Sequence, residues 1–142
     1  MKENFRQIET EAAVISPKFK KDYINIRIGQ SKFRNALIKK HNCKCAICGL
    51  EIKELLTASH IKEYFLSKEN EHIDINNGLL LCANHDKLFD KHLISFDKEG
   101  KIIISDKIPE SNYKLLLITS EISIPKKYFN ELYMDFHRKN LK

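Results

Sequence analysis

Two short pairs of metal-type side chains constrain this chain more than any other feature. Cys45-Ala-Ile-Cys48 is followed by Gly49, and Cys82-Ala-Asn-His85 repeats the same two-residue spacing. Two ligands on one tight turn converge on a single ion without strain. The four together form a soft-to-borderline tetrahedral set of the kind that holds Zn²⁺, with Zn–S near about 2.3 Å and Zn–N near about 2.0 Å. Buried free thiols with a surface histidine are the plain alternative, but two matched pairs argue for zinc. The 33 residues between Cys48 and Cys82 mean that the ion staples distant segments, so it contributes to folding and not only to a local loop. Cys43 falls outside the spacing.

The chain has four cysteines, three of them within residues 43–48, which is poor material for a disulfide scaffold and suits a reducing compartment. Its 142 residues, 42% hydrophobic and 31% charged, fit one globular domain. The longest apolar run is five residues, Leu79 to Ala83, far too short to span a bilayer. Glu3, Glu9 and Glu11 deny the start a signal-peptide build. A cytoplasmic location without membrane partners is expected, and secreted, membrane and fibrous classes are set aside. The formal charge of +6 is unevenly placed, with a net +7 in residues 1–44 and −3 in residues 45–105. A basic flank beside a chemical centre suits a phosphate-backbone binder, although a solvated lysine-rich surface has the same composition.

Residues 2–14 have helical character that Pro17 breaks. Tyr23-Ile24-Asn25-Ile26-Arg27-Ile28 alternates apolar and polar side chains and reads as a strand ended by Gly29. A helix over 31–41 is expected from a Ser31 cap, with Phe33, Ala36 and Leu37 on its inner face. Apolar stretches at 55–61 and 78–82 flank a polar loop, and a helix over 83–91 turns Leu88 and Phe89 inward. Residues 93–96 and 101–105 flank Asp97-Lys-Glu-Gly100 as a hairpin. A last amphipathic helix after Pro125 carries Tyr128, Phe129, Leu132, Tyr133 and Phe136 as a core stripe.

Leu55-Leu-Thr-Ala-Ser-His60-Ile, followed by Asn77-Gly-Leu-Leu-Leu-Cys82-Ala-Asn-His85-Asp86-Lys-Leu-Phe-Asp90, resembles the HNH endonuclease module, in the branch of small restriction-type, McrA-like proteins. Cys45 and Cys48 sit where zinc-bearing members carry their first knuckle. Gly29-Gln30, Phe33-Arg34, the hairpin and the Pro125 to His137-Arg138 segment extend the likeness over about residues 27–139. The resemblance implies an α+β fold: a ββα-metal core stapled by a structural zinc, with flanking helices and an extra β-hairpin. Residues 1–22 are expected to form a helical extension and 23–142 a single nuclease domain with its core at 43–92.

The same resemblance implies a metal-dependent endonuclease hydrolysing DNA phosphodiester bonds, in restriction or mobile-element defence. His60 takes the general-base role, which an imidazole of ordinary pKa suits. Asn77 fixes the loop that orients it, and Asp86 holds a catalytic Mg²⁺ or Mn²⁺ with help from Ser59. Many members carry Asp in place of Ser59 and His in place of Asp86, so the expected ion site has one firm carboxylate. His60 and Asp86 are expected to come within reach of one scissile linkage. Arg27, Lys32, Arg34, Lys39 and Lys40 are the expected contacts to double-stranded DNA, and a homodimer is the expected route to a double-strand break. Asp90, His41, His72, His92 and His137 are assigned to structure, packing or surface. A Ser59–His60–Asp86 hydrolase triad is excluded, because adjacent strand residues face opposite ways. A catalytically inactive, zinc-stabilised nucleic-acid-binding module is the rival reading.

Overall fold

The computed structural model describes residues 16–142. The helical character read in residues 2–14 lies outside them.

Helix α1 (Pro17–Lys40) opens on Ser16, whose hydroxyl accepts from the Phe19 N–H at 3.0 Å, and on Pro17 in the first turn. Proline there is a helix starter, since its missing N–H had no intrahelical partner to lose. The expected strand over 23–28 is therefore wrong, and the helix expected at 31–41 begins fourteen residues earlier, running unbroken across residues 22 and 23. Alternating isoleucines mimic a strand. A longer-range stripe decides the matter: Tyr23, Phe33 and Leu37 recur on one helical face and are buried, while Ile24, Ile26 and Ile28 remain exposed.

The centre is an antiparallel ribbon of β1 (Leu56–His60) and β2 (Gly78–Cys82), in register from Leu56 opposite Cys82 to His60 opposite Gly78. A short helix α2 (Glu69–His72) lies in the connecting loop, and α3 (Ala83–Asp90) follows β2 directly. Helix α1 packs on one face of the ribbon and α3 on the other. Gly78 shows how tight the first contact is, since a Cβ there would lie 2.4 Å from Phe33 Cζ and 2.8 Å from Leu37 Cδ1. Leu79, Leu80 and Leu81 are all fully buried, as a strand sandwiched between two helices requires.

The expected hairpin forms as β3 (Ile94–Phe96) and β4 (Ile102–Ile104). Its turn is held by the Asp97 carboxylate, which accepts from the backbone of Glu99 at 2.8 Å and Lys101 at 2.9 Å. Gly100 (φ +87°) passes so close to the Ile124 carbonyl that no side chain fits. The last helix, α4 (Glu131–Lys139), starts later than expected because Pro125 leads into a single 3₁₀ turn and Asn130 caps the helix, accepting from Leu132 N at 2.8 Å. Of the predicted stripe, Phe129 is buried, Tyr128 and Tyr133 pack against the core and Phe136 is half-buried, but Leu132 is 79% exposed, and Met134 and His137 join the core.

Two buried histidines carry a pH liability. His41 stacks on Tyr128 with ring centroids 4.1 Å apart, and neither ring nitrogen has a hydrogen-bond partner among the described residues. Burial, aided by the Lys40 charge, holds its pKa down at about 4. His137, between Ser95 and the Phe89 carbonyl, is likewise held at about 4 by burial. Both folded values lie below the ordinary 6.5, so between those limits the unfolded chain binds more protons. Stability is then complete above pH 6.5 and falls as pH drops toward 4, by up to about 1.4 kcal/mol per pH unit for each histidine. His41→Phe keeps the stack and removes one of these protons. Urea midpoints measured at pH 7 and pH 5 are expected to show a shallower acid loss for the variant, and parallel losses would contradict it.

Candidate functional site

The Cys45–Cys48 knuckle is shaped by its backbone. Cys45 N–H donates to Leu50 O at 3.0 Å, Gly49 N–H donates to Cys45 O at 2.9 Å, and Gly49 takes φ +76°. Ala46 N–H then donates to Leu80 O at 2.9 Å, docking the knuckle on the outer edge of β2. The second pair spans a strand-to-helix junction, with Cys82 ending β2 and capping α3, and His85 in the first helical turn.

The four ligand atoms of Cys45, Cys48, Cys82 and His85 lie within 4.8 Å of one another. Cys48 Sγ and Cys82 Sγ are 3.8 Å apart, matching the separation of about 3.8 Å for two thiolates on a tetrahedral ion. His85 Nδ1 stands 3.3 Å from Cys82 Sγ and 3.7 Å from Cys45 Sγ, around the about 3.5 Å expected for a mixed sulfur–nitrogen edge. Cys43 is not part of the cluster.

Electrostatics point the same way. Burial pushes the Cys45 thiol up, but His85 and the N–H groups of Cys48, Cys82 and Ile47 outweigh it and bring it to about 6. Cys48 is pushed up to about 12 by burial and by the charges of Cys45 and Cys82. Three thiols this close cannot all ionise without a cation among them, so the donor set fits a structural zinc.

One part of the centre carries no sequence signal. His85 Nε2–H donates to Leu116 O at 3.0 Å and Leu117 O at 3.2 Å, which fixes the tautomer and leaves the Nδ1 lone pair for the ion. Leu117 adopts φ +54°, and Asn84 Nδ2 also holds Leu116 O at 2.9 Å. These carbonyls are presented from a loop some thirty residues downstream, where only the fold can place them.

At the far end of the ribbon, Asn77 is fully buried and ties the connecting loop together. Its Oδ1 accepts from Lys62 N at 2.8 Å, and its Nδ2 donates to Glu71 O at 3.0 Å and Ser67 Oγ at 3.4 Å. His60 ends β1 and stacks on Phe33, with centroids 4.3 Å apart and ring planes 9° from parallel. His60 Nε2–H donates to the His72 carbonyl at 2.9 Å, so the proton-accepting atom of the neutral ring is Nδ1. Burial lowers its pKa, with the His72 carbonyl opposing.

Ser59 and Asp86 also come together. Burial and the neighbouring charge of Asp90 raise the Asp86 pKa, and the nearby Ser59 hydroxyl opposes that shift. Strand alternation places this pair on the α3 face and His60 on the α1 face. Among the described residues no hydrogen bond joins His60 and Asp86, and neither is among the causes of the other's pKa shift.

The expected DNA contacts divide. Arg34 donates to the carbonyls of Leu56 and Lys53, the latter at 3.0 Å. Lys40 Nζ donates to Asn76 Oδ1 at 2.9 Å and Tyr128 O at 3.1 Å. Any phosphate must compete with those bonds. Arg27, Lys32 and Lys39 stand exposed on α1.

Residues 45–97, which hold the ribbon, its helix and the knuckle, match the family model described as HNH endonuclease. The fold of the chain is similar to that of a solved structure, the modification-dependent TagI restriction endonuclease, with a TM-score of 0.50 and 19% identity over 75% of this chain. The chain spans 36% of that protein's length. No curated protein matches the chain. Among the described residues, no helix is long and apolar enough to cross a membrane.

The ligand cluster joins two chain segments more than thirty residues apart, so its loss is expected to be global. Stripping metal with a strong chelator, or Cys48→Ser, should abolish the cooperative melting transition, since a structural ion of this type contributes on the order of 10 kcal/mol. An unchanged melting curve after verified metal removal would contradict this.

Proposed function

We propose that this protein is a metal-dependent HNH endonuclease that hydrolyses phosphodiester bonds of double-stranded DNA, with Zn²⁺ held by Cys45, Cys48, Cys82 and His85. One observation carries the proposal: a neutral imidazole, His60, anchored through Nε2 on a backbone carbonyl so that Nδ1 is the acceptor. A general base needs this combination of fixed orientation and available lone pair. The Phe33 ring beneath it and the Asn77-tied loop beside it fix its position.

Asp86, with Ser59 alongside, would hold a hard divalent ion such as Mg²⁺ or Mn²⁺. Its half-buried carboxylate, crowded by Asp90, is a donor whose negative charge a cation relieves. When bound, that ion supplies positive charge against the charge developing on the phosphate. With His60 and Asp86 on opposite faces of β1, a substrate that meets both would lie at an edge of the ribbon. The outer edge of β2 is covered by the knuckle, so the phosphate sits at the outer edge of β1, the line both faces share. His60 takes a proton from the attacking water there, and the exposed Lys32 and Lys39 meet the flanking backbone.

One such site makes one nick, so a double-strand break requires a second copy or a second event. Likeness to a restriction endonuclease favours a restriction role. The separation of His60 from Asp86, together with Ser59, favours the second reading, an inactive DNA-binding module.

Plasmid nicking with Mg²⁺ or Mn²⁺ separates the two. Wild type is expected to nick, while His60→Ala and Asp86→Asn each fall by a factor of about 100 or more with DNA binding retained. Binding without nicking by wild type establishes the inactive module. If Asp86→Asn nicks normally, Asp86 is removed from the ion site. The pH profile is a further check. The base works neutral and its pKa is lowered, so the acid limb of the rate is expected below pH 6.5, with activity lost as pH falls through it. An acid limb above neutrality would contradict this assignment.

A further inference from the structure

Beside the His60 loop, the outward face of α1 and the 64–73 segment form an open cavity of about 350 Å³. Asp22, Asn25 and Gly29 recur on one side of the helix with Gln30 beside them, and Tyr64 and Glu69 form the opposite wall. This volume is at the lower end of small-molecule sites, suited to one heteroaromatic ring system. Among the described residues no lysine or arginine lines it, and two carboxylates do, so a phosphate is the wrong occupant. Carboxylates and carboxamides instead offer acceptors to ring and exocyclic N–H donors. The aromatic wall is fixed: Tyr64 stacks on His72 with centroids 4.0 Å apart, and His72 Nε2–H donates to Tyr64 O at 2.7 Å.

The cavity is coupled to the candidate base through the same two residues. His72 O receives the His60 Nε2–H at 2.9 Å, and the Tyr64 ring lies edge-on to His60 with centroids 5.3 Å apart. Resting on the nuclease reading, we propose that this cavity receives one unpaired nucleobase bearing an amino group, such as cytosine, from DNA whose backbone passes His60. The enzyme then acts preferentially where a base is out of the stack, because extrusion from an intact duplex has an unstacking cost that an unpaired base has already met. The acceptor-rich wall selects the base, and the basic flank of α1 holds the strand.

Gly29 supplies the test, since it lines the cavity and a Cβ there meets nothing within 4 Å. Leucine is a better helix former than glycine, so Gly29→Leu is expected to fold while occluding the space. Gln30→Ala, which removes one wall amide, is the second variant. Fluorescence anisotropy, without Mg²⁺ or Mn²⁺, compares a matched duplex with duplexes carrying a bulged cytosine or a bulged abasic residue. Wild type is expected to bind the cytosine bulge about tenfold tighter than the abasic one. Gly29→Leu should lose that preference and keep its matched-duplex affinity, and Gln30→Ala should weaken it. Equal affinity of wild type for the two bulges, or a preference that survives in Gly29→Leu, overturns the proposal. Plasmid nicking is scored separately. Bulge preference without nicking refutes the nuclease and keeps the pocket, nicking without bulge preference refutes only the pocket, and no DNA binding refutes both.

Discussion

Four ligand atoms within 4.8 Å of one another, drawn from a surface turn, a strand end and a helix start, set the geometry on which the other parts of this molecule rest. Cys82 is at once the last residue of β2, the cap of α3 and a ligand, so metal binding, strand end and helix start are one structural event. The knuckle adds a backbone hydrogen bond to β2 through Ala46, and the Leu116 and Leu117 carbonyls bring a third chain segment against His85. A two-stranded ribbon alone is marginal in water. Here it is clamped at its Cys82 end by the metal set and sandwiched along its length by α1 and α3, which is why Leu79, Leu80 and Leu81 all lie out of solvent.

The opposite end of the ribbon has no metal cluster and is organised by neutral contacts. Gly78 lets the Phe33 ring pass close beneath it, Phe33 stacks on His60, and Asn77 pins the loop whose His72 carbonyl holds the imidazole. These residues form a chain of contacts in which each fixes the next. The result is a histidine with one nitrogen occupied and the other available, obtained without a carboxylate partner. Burial keeps it in the neutral form, the form a base must have, whereas burial works against the charged form of Asp86 on the far face.

Much of this was legible in the chain because it is local. Ligand spacing announced the cluster, and the turn residues Asp97 and Gly100 announced the hairpin. Alternation within β1 already separated Ser59 from His60, and the same alternation places Asp86 with Ser59 and away from His60. What was not legible depends on distant partners. Tyr23 to Ile28 has the period of a strand, and only the burial of Tyr23 on the same helical face as Phe33 and Leu37 makes it a helix. In the C-terminal stripe Tyr128, Phe129 and Tyr133 pack on the core, but Leu132, two residues after the Asn130 cap, is exposed. Leu116 and Leu117 look like core residues, yet it is their carbonyls that the metal centre uses, and Leu117 itself is exposed.

Helix α1 gathers these strands of the structure into one mechanical element. It supplies Phe33 beneath His60, and Arg34 fastens the backbone of Lys53 and Leu56 just before β1. Lys40 ties its C-terminal end to Asn76 and Tyr128, where burial lowers the pKa of the lysine and Asp74 opposes that shift. Its outward face carries exposed lysines and one wall of the cavity beside Tyr64. A tilt of this helix therefore moves the floor under the imidazole and the wall of the cavity together, since a close-packed interior transmits displacement and does not absorb it. In a chain this small, the exposed lysines, the floor under the imidazole and the wall of the cavity are not separable parts. They are faces of the same helix, held in register by two cations bonded to carbonyls.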